Sequence, residues 1–274
     1  NSTIKHDERN KLITFLSMLL TYTEEDQINV SFTAESSAGK SYIPLELSWY
    51  FPKHDVLEYS YASPTSFYHE YGTLLPDPTD TRDVEPRDRR KIIYIDLHQK
   101  ILIFLDQPHD MLLQRLRPLL SHDRKTLVAK ITDRRERSGL RTKTVMIDGF
   151  PTVLFCTAKP SMEEQERTRL LLLSPETTLT KIKDGILLKI ERESDRQTFQ
   201  KFMESDPKRC WLRNRVGAIS SSGVDYIVIP EELRKRIAER FFETHKALIP
   251  RHQRDVGRLL ALIKAHALLN VWHR

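Results

Sequence analysis

Apolar residues recur at spacings of three and four across residues 8–22 (ERNKLITFLSMLLTY), which predicts an amphipathic helix. The period then changes. Residues 29–33 (NVSFT) alternate as a short strand does, residues 42–50 return to helical spacing, and residues 56–61 predict a second strand. Ser63 and Pro64 close that strand, with Ser63 placed to cap a helix from Thr65. Residues 72–90 (GTLLPDPTDTRDVEPRDRR) are rich in proline and charge and predict a surface loop. Two apolar runs follow, 92–96 and 101–106, separated by Leu-His-Gln-Lys, and residues 109–120 are helical in pattern. Residues 126–148 predict a hairpin, with strands 126–132 and 141–147 around a polar turn at 133–139. Residues 152–156 and 170–173 are unbroken apolar runs of the kind that buried strands show. After Pro175 the pattern is helical to the end, interrupted at 220–223 and at Val228-Ile229-Pro230.

Strands alternating with helices, then helices alone, predict an α/β unit with a mainly parallel sheet followed by an all-α subdomain. The expected division is an N-terminal helix and linker over 1–27, an α/β core over 28–174, and a helical lid over 175–274. A chain of 274 residues is long enough for one large domain or two small ones. Charged residues at 30% and hydrophobic ones at 39% fit a soluble globular protein rather than a disordered one. The uncharged apolar runs are too short to span a bilayer, so no membrane partner is expected. No signal peptide is visible, and a chain that begins at Asn1 predicts a piece excised or processed from something longer. Cys156 and Cys210 have no CxxC spacing, which argues against a disulfide scaffold or a zinc module and for the reducing cytoplasm.

The formal net charge of +6 matters through its placement. Residues 124–143 hold eight bases (Arg124, Lys125, Lys130, Arg134, Arg135, Arg137, Arg141, Lys143) against Asp133 and Glu136. Residues 233–274 hold ten bases against three acids, so the rest of the chain is net acidic. Solvated loops usually interleave signs; a hairpin this one-sided suits a polyanion. It has no aromatic residues for stacking, so Lys130, Arg134, Arg135, Arg137, Arg141 and Lys143 are expected to bind DNA with little sequence preference and strong salt dependence.

The chemistry is carried by Ala34-Glu35-Ser36-Ser37-Ala38-Gly39-Lys40-Ser41, which fits the Walker A pattern [AG]-x4-G-K-[ST] between a strand and a helix. In that pattern backbone N–H groups face the phosphates of ATP, Lys40 supplies a cation to the outer phosphates, and the Ser41 hydroxyl ligates Mg2+. Ala34 stands where the first glycine usually does, so the loop entry must accept a Cβ. A second magnesium carboxylate belongs at the end of a buried strand. Asp106, ending the run 101–106, is the first candidate, and Asp96, ending 92–96, the second. Most such ATPases follow the aspartate with a glutamate that activates water. Here Gln107 follows; an amide positions water but takes no proton, so hydrolysis is expected to be slow or assisted by Glu70 or Asp110. Thr157 ends the strand 152–156, a place from which a hydroxyl reaches a terminal phosphate or satisfies local backbone.

Together these parts resemble an AAA+ ATPase, and more narrowly the branch with a hairpin before the sensor 1 strand, which includes the minichromosome-maintenance replicative helicases. The likeness runs in order over roughly residues 28–274. It rests on the Walker A loop, the Asp106 strand, and the basic hairpin between the helix after Asp106 and the Thr157 strand. It rests also on Arg254-Asp255-Val256-Gly257-Arg258-Leu259-Leu260 with Ala265-His266-Ala267, similar to a lid helix in which an arginine stands twelve residues before the histidine. The resemblance implies a P-loop sheet core with an inserted hairpin and an all-α lid, and a sensor 1 role for Thr157. It implies that Arg254, backed by Arg258, meets the γ-phosphate from the lid, and it calls for a trans-acting arginine finger, for which Arg169 is the first choice and Arg167 the second. It also implies a hexameric ring with hairpins lining its pore. The departures are Gln107, a short sensor 1 region, and no N-terminal DNA-binding or zinc module.

The expected function is therefore an oligomeric motor that couples ATP hydrolysis to translocation on DNA in replication, that of a mobile element among the candidates. Gln107 keeps open a loader or regulatory switch in which ATP binding matters more than turnover. A P-loop small-molecule kinase fits the helical tail and the basic hairpin less well, because a kinase lid lies within the sheet portion. A scaffold with a decayed nucleotide site is the remaining alternative, favoured if Lys40 and Asp106 do not face one pocket. The ten histidines show no ligand spacing, and Phe241, Phe242, the 259–269 stripe, Trp211 and Trp272 read as packing residues.

Overall fold

Runs of Val, Ile, Leu and Phe that leave no polar face can be satisfied only between two layers. The computed structural model shows this arrangement and describes residues 3–35, 38–60, 62, 72–77, 80, 81, 83, 85, 89–106, 108–133, 141–157 and 168–272. The runs β1 (Val30–Thr33), β2 (Val56–Tyr59), β5 (Ile101–Phe104), β8 (Thr152–Thr157) and β9 (Leu171–Leu173) form one parallel sheet in the order β2-β5-β8-β1-β9. Val30 pairs with Leu154 on one side and Leu171 on the other, and Ile101 pairs with Val56 and Thr152.

Alternation along these strands divides the core. Val30, Phe32, Ile101, Ile103 and Leu154 face helix α1 (Glu8–Leu19), while Leu102, Phe104, Val153 and Phe155 face the opposite layer. That opposite layer is helix α3 (Asp110–Leu120), through Leu112, Leu113, Leu116 and Leu119, together with Ile95, Val145 and Ile147 of a second sheet.

The second sheet has the order β3-β4-β7-β6, built from β3 (Thr73–Pro76), β4 (Lys91–Asp96), β6 (Thr126–Asp133) and β7 (Arg141–Asp148). Here the structure departs from the sequence reading. The expected loop over 72–90 contains a strand, β3, held antiparallel to β4 through Leu74–Ile93 pairing, with Pro76 at the strand end where a missing N–H is tolerated. The hairpin of β6 and β7 forms with Thr126 opposite Asp148 and Asp133 opposite Arg141, but it is not free-standing, because β7 also pairs in parallel with β4. The apolar runs 92–96 and 101–106 therefore belong to different sheets.

The carboxyl-terminal helices are α4 (Leu179–Ser194), α5 (Arg196–Ser205), α6 (Pro207–Ser220), α7 (Glu231–Thr244) and α8 (His252–Leu269), giving, with α1, α2 (Tyr42–Ser48) and α3, eight among the described residues. Breaks that composition does not announce fall at Asp195 and Asp206, where each aspartate caps the next helix. Asp195 accepts from Thr198 N at 3.0 Å, and Asp206 accepts from Lys208 N at 2.8 Å, with Pro207 at the first helical position. Val216 and Ile219 of α6 and Ala261, Ala265 and Leu268 of α8 share the buried cluster of α1 and β1. An ionic staple joins the chain's start to α4. Asp7, fully buried, accepts from Glu176 N at 2.8 Å and Asn10 Nδ2 at 2.9 Å and pairs with Lys181.

Four large apolar residues read as packing are exposed, Leu259 of α8 among them. Trp211 and Trp272 are 58% and 52% exposed, and Phe242 is exposed on α7, a helix with no buried residue. Among the described residues no helix is long and apolar enough to cross a membrane.

Candidate functional site

β1 delivers the glycine-lysine-serine turn to the carboxyl edge of the parallel sheet. Ala34 and Glu35 follow the strand; Ser36 and Ser37 lie outside the described residues. Gly39 has φ +85°, and a Cβ there would meet nothing within 4 Å, so backbone angle rather than crowding requires the glycine. Ala38 N donates to Glu35 O at 3.4 Å, and the amides of Tyr42 and Ile43 donate to Gly39 O at 3.2 and 3.4 Å, running the turn directly into α2. Lys40 and Ser41 are half-buried beside it, and Ala34, also half-buried, accepts its Cβ.

Strand order brings the other candidates to the same edge. β8 lies between β1 and β5, with Thr33 opposite Thr157, Phe32 opposite Cys156, and Phe104 opposite Phe155. Asp106 follows β5 by two residues and is exposed, and Thr157 is buried at the end of β8. The lysine loop, the threonine hydroxyl and the carboxylate thus leave three adjacent parallel strands in one direction, the outer two about 10 Å apart. Beneath them Tyr59, Phe104 and Phe155 stack across β2, β5 and β8 at 5.0 and 5.4 Å, an apolar floor.

Cys156 lies on the strand between the lysine loop and the Asp106 strand. Its Sγ donates to Lys40 O at 3.5 Å. Burial pushes its thiol up to about 12, with the Asp106 carboxylate adding to the rise and the Lys40 ammonium opposing it. Lys40 and Asp106 therefore lie within electrostatic reach of one buried sulfur. Sequence reasoning passed over Cys156 as a strand residue; the available signal was its place just before Thr157.

Other candidates lie elsewhere. Asp96 ends β4 in the second sheet, opposite Asp148, and leads into the start of β5, so it sits at the far end from Asp106 and drops out as an alternative. Asp110 begins α3. Gln107, Glu70 and Arg167 lie outside the described residues.

Arg169, Arg254 and Arg258 converge on one cavity of about 440 Å³, but at the opposite end of the sheet. Its walls include Gln27, Ile28 and Asn29, which enter β1, and Arg169 itself precedes β9. Arg169 Nε donates to Ser121 Oγ at 2.5 Å, Arg258 Nη2 to Thr168 O at 2.6 Å, and Arg254 bonds Thr168 Oγ1. Burial holds the Arg258 guanidinium below its usual range, with Asp255, bonded at 2.9 Å, working against that fall. Asn29 and Ala34 bracket β1, so Arg254 stands about 16 Å of strand away from the lysine loop of its own chain.

Of the basic hairpin, Lys130 on β6 and Lys143 on β7 are exposed. Arg141 has a described backbone in β7, its side chain lies outside the described set, and Arg134, Arg135 and Arg137 are outside it altogether. No protein-family model matches the chain, and no curated protein matches it significantly in sequence.

Proposed function

We propose that the chain is an ATPase motor of AAA+ type that moves along DNA. The observation that carries this is that the lysine loop, Thr157 and Asp106 leave three adjacent parallel strands at one sheet edge. A cation for outer phosphates, a hydroxyl and a carboxylate at one sheet edge make a donor set that suits a magnesium nucleotide. Mg2+ usually keeps several waters and needs only one or two protein oxygens, which Ser41 and Asp106 would supply. Bound there, the metal would neutralise charge on the phosphates. Lys40 would hold the outer phosphates, and Thr157 would offer a hydroxyl at the end of β8. The same convergence argues against a decayed site, because a scaffold has no need of it.

Arg254 and Arg169 support the oligomeric half of the proposal. From the far edge they cannot reach the loop of their own chain, but they suit a nucleotide held by a neighbour in a ring. The basic hairpin is the DNA-facing element in this proposal. Gln107 favours the second reading, a regulatory switch, because the residue after Asp106 is then an amide, which takes no proton from water.

ATP binding and turnover, with and without single-stranded DNA, test both. Lys40→Ala is expected to lose nucleotide binding or at least turnover, and unchanged affinity and rate would remove the assignment. Gln107→Glu is expected to raise turnover in a motor, and a variant no faster than wild type would favour the switch.

A further inference from the structure

Helix α6 carries Lys208, Arg209, Arg213 and Arg215 and no carboxylate. Val216 and Ile219 turn into the core, which leaves Trp211 and Arg215, one turn apart, on a shared outer face. Arg215 makes two kinds of contact. Its Nε donates to Leu269 O at 2.5 Å, satisfying a carbonyl left over at the end of α8. Its guanidinium carbon also lies 5.3 Å from the ring centroids of both Trp211 and Trp272. The bond to Leu269 fixes the end of α8, so that Trp272, three residues on, stands at the same arginine as Trp211. Two indoles distant in sequence are thereby gathered around one cation, each more than half exposed. An indole is a large apolar surface that ordinary packing hides. Here the cation occupies one side of each ring and solvent the rest. Arg215 Nη2 is enclosed with no hydrogen-bond partner among the described residues.

We propose that Trp211, Arg215 and Trp272 form a stacking platform for single-stranded nucleic acid, with bases on the indoles and phosphates drawn to α6. Every base has a π-face, so such a platform tolerates any sequence. The charge pattern selects this occupant over a protein: α6 contains no Asp or Glu, and its exposed bases are Lys208 and Arg213, Arg209 being buried. A polyphosphate chain complements Lys208, which shares the face of Trp211 and Arg215 at helical spacing, and unpaired bases need the rings. The platform rests on the nucleic-acid half of the function proposed above, yet it is a surface separate from the β6–β7 hairpin.

Anisotropy of a labelled oligothymidylate and of a duplex of equal length, with the full chain, tests it. Trp211→Ala with Trp272→Ala should weaken single-strand binding about tenfold or more while duplex affinity stays near wild type, because paired bases offer no free faces. The double Phe variant should bind nearly as wild type does, since a phenyl ring still stacks. Wild-type tryptophan emission should be quenched by the oligonucleotide, and the quench should vanish in the Phe variant, which keeps only Trp49. Arg134→Ala with Arg135→Ala and Arg137→Ala serves as the hairpin arm and should weaken both ligands together. Three results would overturn the platform: single-strand affinity unchanged in the Ala variant, a loss that the Phe variant shares, or a changed sedimentation coefficient with DNA binding intact, which would mark a protein interface. Loss in the hairpin arm alone sinks the platform and spares the motor, whereas a wild-type chain that binds no nucleic acid sinks both.

Discussion

Cys156 shows how much one buried atom can report. Its thiol is a weaker acid in the folded chain than in the unfolded one, where the usual value is near 9. The folded state therefore keeps a proton that the unfolded state gives up, and stability falls as pH rises through 9 toward 12. At neutral pH both states hold the proton and the shift contributes nothing. By pH 10 it costs wild type about 1 kcal/mol. Cys156→Ala lacks that term, so the stability difference between variant and wild type should move by about 1 kcal/mol in the variant's favour from pH 7 to pH 10. Urea melts of both proteins at the two pH values measure it. A difference that stays constant would mean that the thiol is not buried between Lys40 and Asp106 as described.

The elements were legible where their cause is local. The helix at the start, the glycine-lysine-serine turn, the β6–β7 hairpin and the run into β8 follow from periods and turn residues that a reader can count. β3 was hidden because Pro76 and the charges after it look like a loop, and only the edge of β4 makes that stretch a strand. The place of Asp96 was equally hidden, since two similar apolar runs ten residues apart give no sign that they join different sheets. Half the candidate site was readable for the same reason: Gly39 and Lys40 are a local motif, whereas the role of Cys156 comes from strand adjacency. The same holds for Asp7, which the sequence presents as an ordinary polar residue. It is a buried anchor for Asn10, Glu176 and the Lys181 ammonium. Asp7→Ala should therefore cost about 3 kcal/mol, because it leaves a largely buried cation and an amide without their acceptor. The chemical-denaturation midpoint should drop with the slope unchanged; a loss under about 0.5 kcal/mol, as for an ordinary surface position, would contradict the staple.

At the scale of the whole molecule, the two ends of the parallel sheet carry different groups. Its carboxyl edge holds Lys40, Asp106 and Thr157, and its amino edge holds Arg169, Arg254 and Arg258 around one cavity. A head-to-tail contact repeated around a ring sets unlike faces against each other, which is the symmetry that lets an arginine of one subunit serve the nucleotide of the next. Under the proposed function, Arg254, which the resemblance assigned to the lid without saying whose nucleotide it meets, would act across such an interface. Subunit mixing tests this. Lys40→Ala destroys one edge and Arg254→Ala the other, so each variant alone should be nearly inactive. In an equal mixture about a quarter of interfaces pair an intact lysine loop with an intact arginine, and ATPase activity should recover toward that fraction. If Arg254 instead serves its own chain, no subunit in the mixture has both groups, and the mixed sample should remain as inactive as its parts. Recovery that requires a protein concentration high enough for assembly, and that is lost on dilution, would tie the rescue to the ring contact itself.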